Sequence, residues 1–266
     1  MMAGLVRQAV ADLLWVVNSP SLIEPADAVG TLRADDVDAE RLTAFLAERP
    51  GHRVGRYFEH LVLFWLREIR GLEIIASGLQ VQDGTRTVGE IDFVFRDTHG
   101  KQHWETAVKF FLHCPTGSSS DYPGPNASDN FERKMARLFD KQLRLGESVF
   151  PDITRRRAFV RGRMFYHPDV GEPTERPKRL AADHQRGVWI RESELSWLER
   201  QEPARGCIAN KPQWLAPPVD PQKLVPVREL IAQLTQHFER SRHPVLIMLP
   251  GTVDQMFVVP DSWPQI

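Results

Sequence analysis

The stretch that decides the fold is Gly89–Lys109, GEIDFVFRDTHGKQHWETAVK. Its first part, Gly89–Arg96, alternates apolar and polar residues, and the alternation predicts a strand with Ile91, Phe93 and Phe95 on one side. A second alternating run, His103–His113 (HWETAVKFFLH), predicts another strand. Asp97, His99 and Gly100 lie between them and suit the turn of an antiparallel hairpin. Side chains alternate across a strand, so Glu105, Ala107 and Lys109 share one face while Trp104, Thr106, Val108 and Phe110 share the other. Such a hairpin sets Asp92, inside an otherwise apolar strand, beside Glu105.

Working outward, Leu72–Val81 is apolar and β-rich and is closed by Asp83-Gly84. Before it, Val54–Arg70 carries Val54, Tyr57, Phe58, Leu61, Val62, Trp65 and Ile69 on one wide helical face, with Gly71 as the stop. After the hairpin, Pro115–Ser128 is rich in Gly, Ser and Pro and reads as a loop. A helix is expected at Asn130–Leu145, then a basic strand at Arg156–Tyr166, a short strand at Gly187–Arg191 and a helix at Glu192–Glu199. The order α-β-β-β-α-β implies an α/β (α+β) fold with a mixed sheet flanked by helices. Residues 1–50 read as a helical N-terminal extension, with helices at Leu5–Val17 and Asp38–Glu48. The core is expected over 51–200. Residues 201–266 read as a Pro-rich connector (201–226), an amphipathic helix at Val227–Arg240 and a hairpin of Val245–Leu249 with Met256–Val259, packed on the core.

Composition bounds the function. The chain has 266 residues, 42% of them hydrophobic and 26% charged, with a formal net charge of -1. This composition excludes a disordered chain and a wholly basic, histone-like one. The neutral total hides a split: residues 1–50 carry a net charge of −4 and residues 129–191 carry +6. A basic middle third can hold a polyanion locally. Cys114 and Cys207 are the two cysteines. They form no CxxC pair, which argues against a disulfide framework or structural zinc and fits a reducing cytoplasm. No apolar run is long enough to span a membrane, and Arg7 and Asp12 interrupt the first one, which reads as amphipathic helix and not as a signal peptide. A Walker A loop, a GxGxxG and a GxSxG are all missing, so nucleotide hydrolysis, dinucleotide chemistry and serine hydrolase chemistry lack support.

The chemistry concentrates on Asp92, Glu105 and Lys109. Two carboxylates on one sheet face with a lysine beyond them suit a hard divalent cation, Mg²⁺ above all, and a cationic helper. The same residues also suit an ordinary ion-paired sheet face. Glu59 sits on the border of the 54–70 helix, one turn after Gly55. Gln142 falls in the apolar row of the 130–145 helix, with Phe131, Met135, Leu138 and Leu145. The opposite face of that helix carries Lys134, Arg137, Lys141 and Arg144. This basic ridge is either a solvated face or a clamp for a phosphate backbone. Arg155, Arg156 and Arg157, with Arg161 and Arg163, either track phosphates or flank an edge strand.

In order and residues the chain resembles the PD-(D/E)XK nuclease superfamily, whose restriction-endonuclease-like core is α-β-β-β-α-β. The resemblance rests on Gly55…Glu59, on Gly89-Glu90-Ile91-Asp92, and on His103-Trp104-Glu105-Thr106-Ala107-Val108-Lys109. It covers about residues 52–192. More narrowly, GEIDF followed by HWExAVKF is similar to an uncharacterised bacterial family within that superfamily. The resemblance implies that Asp92, Glu105 and Glu59 hold Mg²⁺ or Mn²⁺, that Lys109 is the catalytic lysine, and that Gln142 matches a polar residue of the second core helix. It further implies hydrolysis of nucleic-acid phosphodiesters, DNA before RNA. The usual acid-x-Lys spacing is not kept: Ala107 stands two residues before Lys109, and Glu105 two further back on the same face. A non-catalytic nucleic-acid-binding or scaffold protein with the same fold, and an enzyme for a small phosphorylated molecule, both stay open.

Overall fold

A computed structural model describes residues 2–25, 31–115, 121–201, 205–251 and 254–265. It holds one nine-stranded mixed sheet with helices on its faces, the mixed α/β class expected from the sequence. In chain order the strands are β1 (Glu73–Asp83), β2 (Arg86–Asp97), β3 (Gly100–His113), β4 (Ile153–Tyr166), β5 (Gln185–Arg191), β6 (Arg205–Ile208), β7 (Val225–Pro226), β8 (Val245–Leu249) and β9 (Asp254–Val259). Their order across the sheet is β1-β2-β3-β4-β5-β9-β8-β6-β7. β1, β2 and β3 pair antiparallel, β3, β4, β5 and β9 pair parallel, and β9, β8 and β6 return to antiparallel pairing.

The helices are α1 (Met2–Asn18), α2 (Ala39–Ala47), α3 (Val54–Phe64), α4 (Phe131–Asp140), α5 (Gly146–Val149), α6 (Ser196–Arg200) and α7 (Val227–Arg240). The first three bury Leu13, Val16, Leu42, Phe45, Phe58 and Leu61 in one cluster with Trp104, Val108 and Phe110 of β3. Each fully buried large apolar side chain contributes about 1.5–3 kcal/mol. Trp104 stacks on Phe159 of β4 with ring centres 5.3 Å apart and planes 13° from parallel. On the opposite sheet face, Phe131, Met135 and Leu138 of α4 pack on Phe111, Val160 and Met164, with Ala107 at their edge. The alternation along β3 is therefore observed: Trp104, Val108 and Phe110 face α3, while Ala107 and Phe111 face α4.

Four expectations are corrected. The helix from Val54 turns π-helical over Trp65–Ile69 before stopping at Gly71, which has φ +62°. The wider turn rotates the face beyond Phe64, so Leu66 is buried, whereas Ile69 only borders the core. The helix after Asn130 ends at Asp140, because Lys141 leaves helical geometry (φ −124°), and Gln142–Arg144 form a separate 3₁₀ turn. Ile91 does not join Phe93 and Phe95: it packs with Val81 and Val94 in a small cluster beside Leu145. The C-terminal hairpin does not lie over the core but lengthens its sheet, through parallel pairing of β9 with β5. The Pro-rich connector contributes β6 and β7, and α7 packs its Leu230, Leu234 and Phe238 on β8 and β9.

Asp12 breaks the apolar pattern of α1 in the sequence, yet it is completely buried. Its carboxylate accepts the Tyr57 hydroxyl at 2.9 Å and the Ala216 N–H at 3.0 Å, tying α1 to α3 and to the C-terminal segment. Cys114 and Cys207 are both free. No described helix is long and apolar enough to cross a membrane.

Candidate active site

The β2–β3 ladder ends at the pair Phe93↔Trp104. One residue further the strands have parted, and side chains take over from the backbone. The Asp92 Oδ2 accepts the Thr106 N–H at 2.7 Å and the Thr106 hydroxyl at 3.2 Å, and the Asp92 N–H donates to Glu105 Oε1 at 3.4 Å. On the other side of Asp92, β1 is kinked. Gly78, at φ +63°, falls between the pairs Ser77↔Phe93 and Leu79↔Ile91, opposite Asp92. An L side chain is strained at that φ, so glycine suits the kink. The parted strands leave the Asp92 carboxylate at the meeting point of several recesses.

Glu105 is 0% exposed. A buried carboxylate is costly unless it is hydrogen-bonded. Here Oε1 contacts His103 Nε2 at 2.8 Å, and Oε2 accepts the Gln142 amide at 3.1 Å. The break in α4 at Lys141 is what presents Gln142, in its 3₁₀ turn, to Glu105. His103 is itself fully buried, with Nδ1 unpartnered and packed against Gly146, where a Cβ would come within 3.0 Å of it.

Lys109 lies opposite Gly162 in the parallel β3–β4 ladder. Gly162 has φ +145°, and a Cβ there would fall on the Lys109 carbonyl oxygen. Lys109 lines a recess of about 310 Å³ together with Glu59, Asp92, Thr106, Lys134 and Gln142. Glu59, Asp92, Arg137 and Gln142 also line a wider cleft of about 830 Å³, so the two are contiguous. That cleft is also lined by Arg53, the N-cap of α3, by Gly55 and Arg56 within α3, by Val88, Gly89 and Glu90 of β2, and by Lys141 and Leu145. Gly55 borders open space.

Burial and mutual repulsion dominate the electrostatics. Burial first, then the charges of Glu105 and Glu59, push the Asp92 carboxyl up to about 8 against its hydrogen bonds from Thr106. Burial also raises Glu59, while the Arg56 guanidinium opposes it. Lys109 is lowered, chiefly by burial and then by the neighbouring Lys134 charge, while Asp129, Asp92 and Glu59 work the other way. A site that disfavours its own negative charges gains from a cation that neutralises them. The donors on offer are carboxylate oxygens, the hard ligands Mg²⁺ prefers, and the cleft leaves space for the waters it keeps.

Asp92, Glu105, Gln142, Lys109 and Glu59, picked out from the sequence, thus come together. Electrostatically, Asp92 feels both Glu59 and Glu105. Among the described residues, however, Glu59, Asp92 and Glu105 do not gather ligand atoms all within 4.8 Å of one another; His167, Asp169 and Glu194 do. That second group joins the residues after β4 to the turn after β5, and His167 and Glu194 are already hydrogen-bonded. His167 Nε2 contacts Glu194 at 3.0 Å, His167 Nδ1 accepts the Asp169 N–H at 3.3 Å, and Glu194 accepts the Arg191 N–H at 2.6 Å.

The basic ridge is divided. Arg137 and Lys141 line the wide cleft, and Lys134 lines the narrower recess while pairing with Asp129 at 2.8 Å. Arg144, exposed in the 3₁₀ turn, lines neither. Sequence reasoning did not single out Arg53, Arg56 or Glu90 as site residues. Arg56 stands three residues before Glu59, a helical spacing that signals their ion pair. Glu90 shares the strand parity of Asp92.

Fold and site together define a mixed α/β protein in which half-buried carboxylates and a half-buried lysine, backed by the buried Glu105, open onto a cleft that Arg53, Arg56, Arg137 and Lys141 help to line. Over residues 11–256 the chain matches a family described as a domain of unknown function, DUF1853, and it belongs to that family. Neither a curated protein nor a solved structure matches it.

Proposed function

We propose that the protein is a metal-dependent nuclease of the PD-(D/E)XK type, hydrolysing phosphodiester bonds of nucleic acid, DNA before RNA. The observation that carries this reading is the convergence of Asp92, Lys109, Glu59 and Gln142 on one recess, with Glu105 buried behind it on Gln142, and the continuation of that recess into a cleft lined by Arg53, Arg137 and Lys141. A closed pocket around Lys109 would suit a small phosphorylated molecule. The continuity of its recess with a cleft of about 830 Å³ suits a polymer better.

In this reading Asp92 and Glu59 hold Mg²⁺ or Mn²⁺, and Glu105 contributes from behind, held in place by His103 and Gln142. The bound ion supplies polarisation of the phosphodiester and an acidified water. Lys109, made less basic by burial, orients that water and stabilises charge growing on the phosphorane. Arg53, Arg137 and Lys141 hold flanking phosphates.

A second reading is a nuclease-fold protein that binds nucleic acid without cutting it. It is favoured by the engagement of both Glu105 oxygens and by the spread of the three carboxylates beyond 4.8 Å. The deciding experiment is an assay on single-stranded, duplex and branched DNA and on RNA with Mg²⁺ or Mn²⁺, comparing wild type with Asp92→Ala and Lys109→Ala. Cleavage by the wild type alone supports the enzyme. Binding without cleavage supports the second reading, and equal cleavage by all three sinks the site assignment.

A further inference from the structure

Arg56 is bound to the carboxylate cluster and also faces the cleft. Its guanidinium pairs with Glu59 at 2.8 Å and lies 3.6 Å from Glu90 Oε1. It also feels the charge of Asp92. The missing side chain at Gly78 keeps this corner open, since a Cβ there would stand 3.2 Å from Glu90 Oε1 and 3.8 Å from Arg56 Nη1. The Arg56 side chain is 52% exposed, so the pair is of the weak, solvent-screened kind.

From this arrangement we propose that Arg56 is an internal counter-cation: it neutralises the Glu59–Glu90 side of the cluster in metal-free protein and is displaced when a divalent cation loads. The inference rests on the metal-binding reading above. Arg56 holds Glu59 Oε2, and a divalent ion drawn to the same carboxylate competes with the guanidinium for its charge. Arg56 already lines the cleft together with Arg53, Arg137 and Lys141. Once released, it becomes one more phosphate donor there, able to bind two phosphate oxygens at once. Cation loading and polyanion binding then favour each other, and the coupling is reciprocal.

The test is Mn²⁺ titration by calorimetry on wild type, Arg56→Gln, Arg56→Lys and Asp92→Asn, joined to a crystal structure of the Mn²⁺-loaded wild type. Arg56→Gln should bind Mn²⁺ about two- to fivefold more tightly, the worth of a weak ion pair converted to affinity. Arg56→Lys, which keeps the charge but not the fork, should fall between. In the loaded crystal the Arg56–Glu59 pair should be broken. A guanidinium that merely repels the ion would tighten binding in Arg56→Gln but stay paired with Glu59, and that result overturns the proposal. Equal Mn²⁺ affinity of wild type and Arg56→Gln, with binding lost in Asp92→Asn, overturns it while leaving the metal site standing. If no protein in the series binds Mn²⁺, both the site and the counter-cation fail.

Discussion

The Asp92 carboxylate accepts the Thr106 N–H at 2.7 Å, one residue past the last β2–β3 pair, Phe93↔Trp104. A side chain therefore satisfies a backbone donor at the point where the strands part. The gap that results gives the Asp92 carboxylate access to the cleft, and it also explains why Ile91 leaves the face of Phe93 and Phe95. The same local feature shapes the fold and opens the site.

Gln142 closes the buried end of this arrangement. Gln142→Leu would leave the Glu105 Oε2 without its partner in a fully buried setting. The expected cost is about 1–3 kcal/mol, read as a lower denaturation midpoint. Unchanged stability would mean that Glu105 does not depend on this amide.

Gly162 sets the backbone beneath Lys109. Gly162→Ala would drive a Cβ into the Lys109 carbonyl at a positive φ, and a loss of about 3 kcal/mol is expected from unfolding curves. Gly55 offers the control. It is helical and borders open space, so Gly55→Ala should gain up to about 1 kcal/mol of stability. Two equally mild substitutions would contradict the tight β3–β4 approach.

Burial lifts the Asp12 carboxyl to about 6 from an ordinary value of 3.8, outweighing its bonds from Ala216, Tyr57 and Gln8 and the pull of Lys223. The folded state then holds a proton that the unfolded state has released. The Asp12 contribution to stability is fully present below about pH 4, falls as pH rises through the 4–6 window and is lost above it, about 3 kcal/mol in all. Asp12→Asn should flatten that window. Stability curves of identical slope in the two proteins between pH 4 and 6 would argue against a buried protonated Asp12.

Arg137 and Lys141 are expected to meet phosphates. The Arg137→Gln/Lys141→Gln double variant should weaken binding to any duplex sequence. It should also reduce the slope of log affinity against log salt by about 1.8, the release of two counterions. Fluorescence anisotropy between low and moderate salt measures it. An unchanged slope would remove this wall from the binding surface.

Much of the fold was legible in the sequence because alternation and helical stripes are local signals. They located α3, β1 to β5 and the β8–β9 hairpin, and strand parity put Ala107 on the face opposite Val108 and Phe110. What escaped was set by contacts distant in sequence or by geometry without a residue signal. Lys141 breaks α4 with neither Gly nor Pro at that point, so the step of three and four ran on to Leu145. The π-helical turn at Trp65–Ile69 leaves the composition of the helix unchanged yet rotates its buried face. β6 and β7 span four and two residues, too short to alternate. Asp12 reads as a polar interruption because its partner Ala216 lies 204 residues away. In the site, residue types identified Asp92, Glu105 and Lys109, whereas the buried support from His103 and the pairing of Arg56 needed coordinates.

The most direct measurement is the rate of phosphodiester cleavage by wild type and Asp92→Asn on the best nucleic-acid substrate, in Mg²⁺ and after chelation. Wild type should cut in Mg²⁺ and stop in chelator, and Asp92→Asn should lose at least about a hundredfold in rate while still binding the substrate. Cleavage that survives chelation, or equal rates for the two proteins, would contradict a metal-dependent site built on Asp92.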